Sequence, residues 1–113
     1  MTRQRRLTVG LVGGDSCNEV EAKLAFETGR QIARSEAVLV CGGGAGVMEA
    51  GCSGAKTANG VTIGVLAGDG PETSPPNPHL DFVLYTGLVQ GLNQIVVLSS
   101  DAVIAIGGEW GTL

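Results

Sequence analysis

The stretch Ala37-Val38-Leu39-Val40-Cys41-Gly42-Gly43-Gly44-Ala45-Gly46-Val47-Met48-Glu49-Ala50 decides the fold. Its first five residues are apolar throughout, as in a strand covered on both faces. Four of the next five are glycine, which ends the strand. Val47 to Ala58 then reads as a helix of small residues. A buried strand that feeds a helix through a glycine turn is the unit of a parallel sheet. Such a turn leaves main-chain N–H groups open to an anion.

The same unit recurs on both sides. Upstream, Leu7 to Val12 is an apolar strand and Gly13-Gly14-Asp15-Ser16 a turn, with Asp15 or Ser16 available as a helix N-cap. Glu19 to Arg34 follows as a helix, with Val20, Ala22, Leu24, Ala25, Ile32 and Ala33 on its inner face. Its acidic residues come early and Arg30 and Arg34 late, matching the helix dipole. Downstream, Asn59-Gly60 closes the second helix and Val61 to Leu66 is a third strand. Ala67 to Leu80 carries Pro71, Pro75, Pro76 and Pro78 and is a long loop of the kind that covers binding sites. Asp81 to Tyr85 is a fourth strand. Gly87 to Ser99 is a helix with Leu88, Leu92, Ile95, Val96 and, at its start, Val89 inward. Ala102 to Ile106 is a fifth strand ending in Gly107-Gly108-Glu109-Trp110-Gly111-Thr112-Leu113.

This order predicts one α/β domain over residues 1–113: a Rossmann-like, doubly wound parallel sheet in three layers, with right-handed crossovers. The chain stops where a strand has just fed a glycine turn that would open a helix. The expected fold is therefore C-terminally truncated, short of a last helix and strand. Apolar surface left uncovered there predicts a homo-oligomer, a dimer or tetramer.

Composition narrows the function. Glycine makes up 19 of 113 residues, against a background of about 7%, and it clusters at the ends of apolar runs. The net charge of −4 disfavours non-specific binding to nucleic acid or to anionic membranes. Arg3, Arg5 and Arg6 form the one basic cluster and read as a solvated tail. Three cysteines (Cys17, Cys41 and Cys52) without a C-x-x-C suggest reduced thiols rather than a disulfide framework or a zinc site. With no signal peptide and no run of roughly 20 apolar residues, the expected location is the cytoplasm.

In open parallel sheets ligands bind beyond the carboxyl ends of the strands. Three glycine turns fall on that edge, after the first, second and fifth strands. Together they predict a cradle for a phosphate-bearing small molecule, gripped by main-chain amides rather than by Lys or Arg. There is no G-x-x-x-x-G-K-[ST]. Gly42-x-Gly44 is followed by Val47 where the dinucleotide fingerprint needs glycine.

Cys41-Gly42-Gly43-Gly44-Ala45-Gly46-Val47-Met48-Glu49-Ala50, paired with Ser99-Ser100-Asp101-Ala102-Val103-Ile104-Ala105-Ile106-Gly107-Gly108-Glu109-Trp110-Gly111-Thr112, resembles the LOG/lysine-decarboxylase-like (SLOG) superfamily. The resemblance is greatest to its molybdenum-cofactor-carrier-like branch. Val9-Gly10-Leu11-Val12-Gly13-Gly14 and Gly64-Val65-Leu66 are similar as well. The resemblance implies a Rossmann-like fold, oligomerisation, and a nucleotide or the molybdenum cofactor as bound ligand. It implies phosphate contacts from Gly43, Gly44, Gly46, Gly107, Gly108, Gly111 and Thr112, beside Gly13 and Gly14 of the first turn. Met48 is expected beneath the turn.

One branch of the superfamily hydrolyses nucleoside 5'-monophosphates. It uses an arginine on the helix before the fifth strand and a glutamate just after the last glycine turn. Here Leu92-Asn93 stands where relatives often show Arg-Asn, and the glutamate would fall beyond Leu113. Glu109 is the one acid inside the turn that could substitute, although a solvent-facing loop acid is the plainer reading. A binding or carrier role therefore leads, a phosphoribohydrolase comes second, and single-stranded DNA binding third. His79 alone in its loop reads as a solvated side chain. Asp69, Glu72 and His79 would hold a metal only in a tightly folded loop, so no metal is expected. Tyr85 and Trp110 are candidates to stack on a ring, and Cys17 packs or lies idle.

Overall fold

The computed structural model describes residues 5–88 and 92–107. Five strands and three helices follow one another as β1 (Thr8–Gly13), α1 (Glu19–Arg34), β2 (Val38–Cys41), α2 (Val47–Thr57), β3 (Val61–Leu66), β4 (Phe82–Tyr85), α3 (Leu92–Leu98) and β5 (Ala102–Ile106). The strands form one sheet in the order β4-β3-β2-β1-β5, and every neighbouring pair is parallel. This is the Rossmann-like α/β architecture expected from the pattern of apolar runs.

Side chains alternate across the sheet and build a core on each face. On one face Leu11, Leu39, Cys41 and Ile106 pack against Ala25, Ile32 and Ala33 of α1 and Val47, Met48, Cys52 and Ala55 of α2. On the other, Val12, Val38, Val40 and Val65 pack around Val96 of α3. All four residues of β2 are buried, which accounts for its unbroken apolar run.

Helices α1 and α2 approach almost backbone to backbone. A methyl group on Gly29 would run into the Gly51 carbonyl, and one on Gly54 into the Phe26 carbonyl. The buried stripe of α1 is accordingly Ala25, Gly29, Ile32 and Ala33. Val20 and Leu24, expected on this face, are 75% and 54% exposed. The seam selects small residues, and the larger apolar ones are left outside it.

Two further expectations shift. The N-cap of α1 is Asn18, not Asp15 or Ser16: the Asn18 side chain accepts from the Glu21 amide, while the Glu21 carboxylate accepts from the Asn18 amide. This reciprocal box satisfies two amides at once, which a lone Asp or Ser earlier in the turn would not do. Among the described residues α3 spans only seven, and Gly87 before it has φ +67°, so Leu88 lies exposed rather than inward. Val89 falls outside the described residues. Asn59 does adopt a left-handed conformation at the end of α2, with φ +58°.

The edge strands are less covered than β1 to β3. Phe82 and Leu84 of β4 and Val103 and Ile104 of β5 are exposed. Arg3 lies outside the described residues; Arg5 and Arg6 are exposed to solvent, as expected, but tethered: Arg5 makes a two-pronged bond to Asp101, and Arg6 donates to the Glu36 carbonyl. They fasten the start of β1 to its surroundings.

Candidate functional site

The chain walks from β1 through β2 and β3 to β4 in one direction, then returns to place β5 on the other side of β1. The switch point is thus between β1 and β5, where a parallel sheet opens a crevice at its carboxyl edge. A cleft of about 1100 Å³ opens on the carboxyl edge. The first turn contributes Gly13 to Asn18, the second Gly42 and Gly44, and the start of α2 Val47 and Met48. Leu66, Ala67 and Ser74 line it from the end of β3 and the following loop, and Leu92 and Asn93 from α3.

The first two turns are stitched together. The Val47 amide donates to the Gly14 carbonyl at 3.1 Å, and Val47 packs where a Gly13 side chain would otherwise stand. Gly46, the N-cap of α2, has φ +64° and provides no side-chain cap. The two helix starts therefore differ. The amides of α1 are served by Asn18 and by the Glu21 carboxylate, which places negative charge at that terminus. The amides of α2 have no side-chain cap; the first, of Val47, is taken by the Gly14 carbonyl, and among the described residues no carboxylate bonds to them at the positive end of the helix dipole. Among the described residues, the amides of Gly14, Asp15 and Gly44 donate to no carbonyl or side chain.

The loop after β3 is fastened beneath the second turn. The Asn77 amide donates to the Gly43 carbonyl at 2.9 Å. Its side-chain amide donates to the Gly44 carbonyl at 2.9 Å and more distantly to that of Gly43. Its side-chain oxygen accepts from the His79 amide. Thr62, fully buried, donates to the His79 carbonyl. Asp81 accepts from Lys56 and from the Thr62 amide. Partial burial would raise the Asp81 carboxyl, but Lys56 and Thr62 hold it below its ordinary value. Below the second turn, the Cys41 and Cys52 sulfurs lie 3.6 Å apart, and Cys41 accepts from the Gly43 amide. The adjoining Cys41 sulfur and burial push the Cys52 thiol up, so it remains a neutral S–H.

Of the residues expected at a site, Gly13, Gly14 and Gly44 line this cleft. Gly43 and Gly46 belong to the same turn without lining it. Gly43 has φ +80° and packs against Leu66, while Gly46 sits against the Gly14 carbonyl. Gly107 has φ +60° and abuts the Glu21 carboxylate, itself a lining residue. Gly108, Glu109, Trp110, Gly111 and Thr112 lie outside the described residues. Met48 packs under Gly42 and Gly44, with its side chain 3.1 Å from where a methyl on either would stand. It also reaches the cleft wall. Cys17 lines the cleft and packs partly on the core. Tyr85 is not part of the lining.

His79 belongs instead to a shallower hollow of about 470 Å³ over the α1–α2 seam. Among the described residues no group of three or more His, Cys, Asp or Glu could hold a metal ion, and no helix is long and apolar enough to cross a membrane. Sequence reasoning missed Asn18, Glu21, Gly42, Ser74 and above all Asn77. An asparagine two residues past Pro75 and one before Pro78 signals a turn, and nothing in the sequence tells which carbonyls it will reach.

A family model described as the SLOG cluster4 family matches residues 6–113. An uncharacterised protein of Archaeoglobus fulgidus is 35% identical over 107 residues, covering 95% of this chain and 69% of that protein. The molybdenum cofactor binding protein of Rippkaea orientalis superposes with a TM-score of 0.90 at 38% identity, covering 97% of this chain and 68% of its own. The molybdenum cofactor carrier protein of Chlamydomonas reinhardtii gives a TM-score of 0.85 at 36% identity, over 96% and 66%. The chain thus spans about two thirds of the length of these relatives. DNA processing protein A of Streptococcus pneumoniae, at 24% identity and a TM-score of 0.73, shares the fold.

Proposed function

The chain belongs to the SLOG cluster4 family, and from that premise we propose that it binds or carries a phosphate-bearing small molecule, the molybdenum cofactor or a nucleotide. The observation that carries the reading is the cleft between the first two turns, walled by main-chain amides without acceptors among the described residues. Phosphate needs donors that are fixed and unobstructed; the free amides of Gly14, Asp15 and Gly44 supply both, next to the positive end of the α2 dipole.

Three features support the reading. Gly44 has no methyl, although one there would meet only the Asp15 carboxylate and the Met48 methyl group, each 3.1 Å away. Both contacts are tight, but each is the far end of a side chain that has to yield only a few tenths of an ångström, so no main-chain clash demands the vacancy. Among the described residues the cleft lining holds no Lys or Arg, which disfavours a polyanionic strand and suits one phosphate group held by amides. Leu92 faces the cleft at the position where hydrolytic relatives carry arginine. A methyl-rich side chain there cannot stabilise charge on a departing base, so binding without turnover is the better reading. The carboxylates of Asp15 and Glu21 line the same cleft and would favour the N–H donors of a pterin or purine ring over a second phosphate.

In this reading Gly13, Gly14, Gly43, Gly44, Gly46 and Gly107 form the amide cradle and its frame, with Gly108, Gly111 and Thr112 extending it. Glu109 has no assigned catalytic part. The protein acts as a homo-oligomer in the cytoplasm. Isothermal titration against AMP, other nucleoside monophosphates and molybdenum cofactor tests the proposal, with adenosine as the phosphate-free control. Binding of at least one phosphorylated compound and none of adenosine is expected. Equal binding of AMP and adenosine, or no binding of any phosphorylated compound, would overturn it. Release of free base from AMP would instead support the hydrolase.

A further inference from the structure

We infer that Asn77 is a positioning residue, which aims two consecutive amides of the second glycine turn at the ligand by holding their carbonyls from behind. The inference deepens the binding role proposed above and rests on it only for the identity of what is bound.

In a trans peptide the C=O and the N–H of the next residue point in opposite directions, and no described peptide is cis. The carbonyl of Gly43 accepts from the Asn77 main-chain amide, and the carbonyl of Gly44 from its side-chain amide, both at 2.9 Å. Two successive carbonyls are thereby turned toward one residue. The N–H groups of Gly44 and Ala45, which complete those two peptides, must then point the other way. Neither has an acceptor among the described residues. Gly44 lines the cleft, Ala45 beside it is exposed without being part of the lining, and Asn77 is buried and lines none of it. Two adjacent N–H groups turned to one side make the concave seat that favours an anion.

Asparagine suits this task. It is 7% exposed, so its polar atoms have to be satisfied inside the protein. It offers a main-chain donor, a side-chain donor and an acceptor within one short residue. Its oxygen is already occupied by the His79 amide at 3.0 Å, which fixes the flip of the side chain and sends the NH2 group toward the turn. The glycines at 43 and 44 bend freely, and an isolated turn of this composition would populate many conformations. Asn77 selects one of them.

Asn77→Asp keeps the shape and replaces the NH2 donor by an acceptor facing two carbonyls. Asn77→Ala removes the donor without adding charge and serves if the first variant does not fold. Thr62→Val is the control, because it loosens the same loop through the His79 carbonyl without touching the glycine turn. The primary readout is the ¹⁵N order parameter of residues 42–46 in the protein without ligand. Wild type and Thr62→Val should stay near about 0.85, and the Asn77 variants should fall below roughly 0.6. The second readout is the affinity for AMP, expected to drop roughly tenfold or more in the Asn77 variants, the worth of one charged hydrogen bond. It should change less than about twofold in Thr62→Val.

An equally rigid turn in Asn77→Ala, or equal loss in Thr62→Val, would overturn the positioning role. A loosened turn in a protein that binds no AMP even as wild type would sustain the role of Asn77 and remove the nucleotide from the binding proposal.

Discussion

Glycine does opposite work in the α1–α2 seam and in the turn after β2. In the seam, a methyl on Gly29 or Gly54 would collide with the main chain of the facing helix, which can move only if the two helices part. At Gly44 it would meet a carboxylate oxygen and a methionine methyl group, both at the ends of rotatable side chains. The φ of Gly44 is not in the left-handed region either. The seam glycines are therefore fixed by main-chain packing, whereas Gly44, in the cleft wall, is hemmed only by side-chain ends that can yield. Glycines that hold the fold thus differ from Gly44, whose proposed part lies with what enters the cleft.

The largest effect is expected in the seam. Gly29→Ala should cost roughly 3 kcal/mol, the upper range for forcing an added methyl into a packed interface, and lower the melting temperature by more than about 10 °C. An unchanged melt would mean that the helices slide apart at no cost and would break the comparison. Gly44→Ala should leave stability within about 1 kcal/mol of wild type while weakening AMP binding roughly tenfold, as measured by titration calorimetry. Undiminished affinity would show that the added methyl does not reach the ligand.

Asn18→Ala sharpens the contrast between the two helix starts. Loss of the capping box should cost about 1 kcal/mol in denaturant unfolding and lower AMP affinity much less than Gly44→Ala does, since the Asn18 side chain is spent on the α1 amides. A matching loss of affinity would shift the anion seat from α2 to α1.

The smallest effect concerns acid. The Arg5 guanidinium, with help from the Thr8 amide, holds the Asp101 carboxyl far below the usual carboxylate range. Lys56 and Thr62 depress Asp81 more mildly. A folded-state pKa below the unfolded one contributes stability above the unfolded value, about 3.9, and that contribution is lost as pH falls through the folded value. Melting temperature should hold level from about pH 6 to 5 and decline below about pH 4, with a shallower decline in Asp101→Asn. Both pairs are solvent-exposed enough to keep the effect small. An identical acid limb in wild type and Asp101→Asn would assign the decline to other groups.

Much of the architecture was legible because it rests on local signals. Unbroken apolar runs such as Val38 to Cys41, each ended by glycine, mark buried parallel strands, and every strand falls within a residue or two of its expected place. What failed was what depends on facing partners. Val20 and Leu24 fit the helical period, yet the seam had room only for Ala25, Gly29, Ile32 and Ala33. The glycine turns could be read as one cluster, but not divided into residues that line the cleft, such as Gly44, and residues that frame it, such as Gly43. That division depends on Leu66 and Asn77, which the chain brings to the turn from 22 and 33 positions beyond Gly44 (66 − 44 and 77 − 44). Arg5 looked like a solvated tail residue because Asp101, its partner, lies at the other end of the sequence.

The central claim is that unsatisfied amides at the strand exits receive the phosphate. A ¹⁵N–¹H titration of the wild-type protein with AMP reads those amides one by one. The account predicts downfield shifts for Gly14, Asp15, Gly44 and Ala45 that saturate together, with the seam amides of Gly29 and Gly54 unmoved. Saturable binding that shifts other amides and leaves these four in place would contradict it.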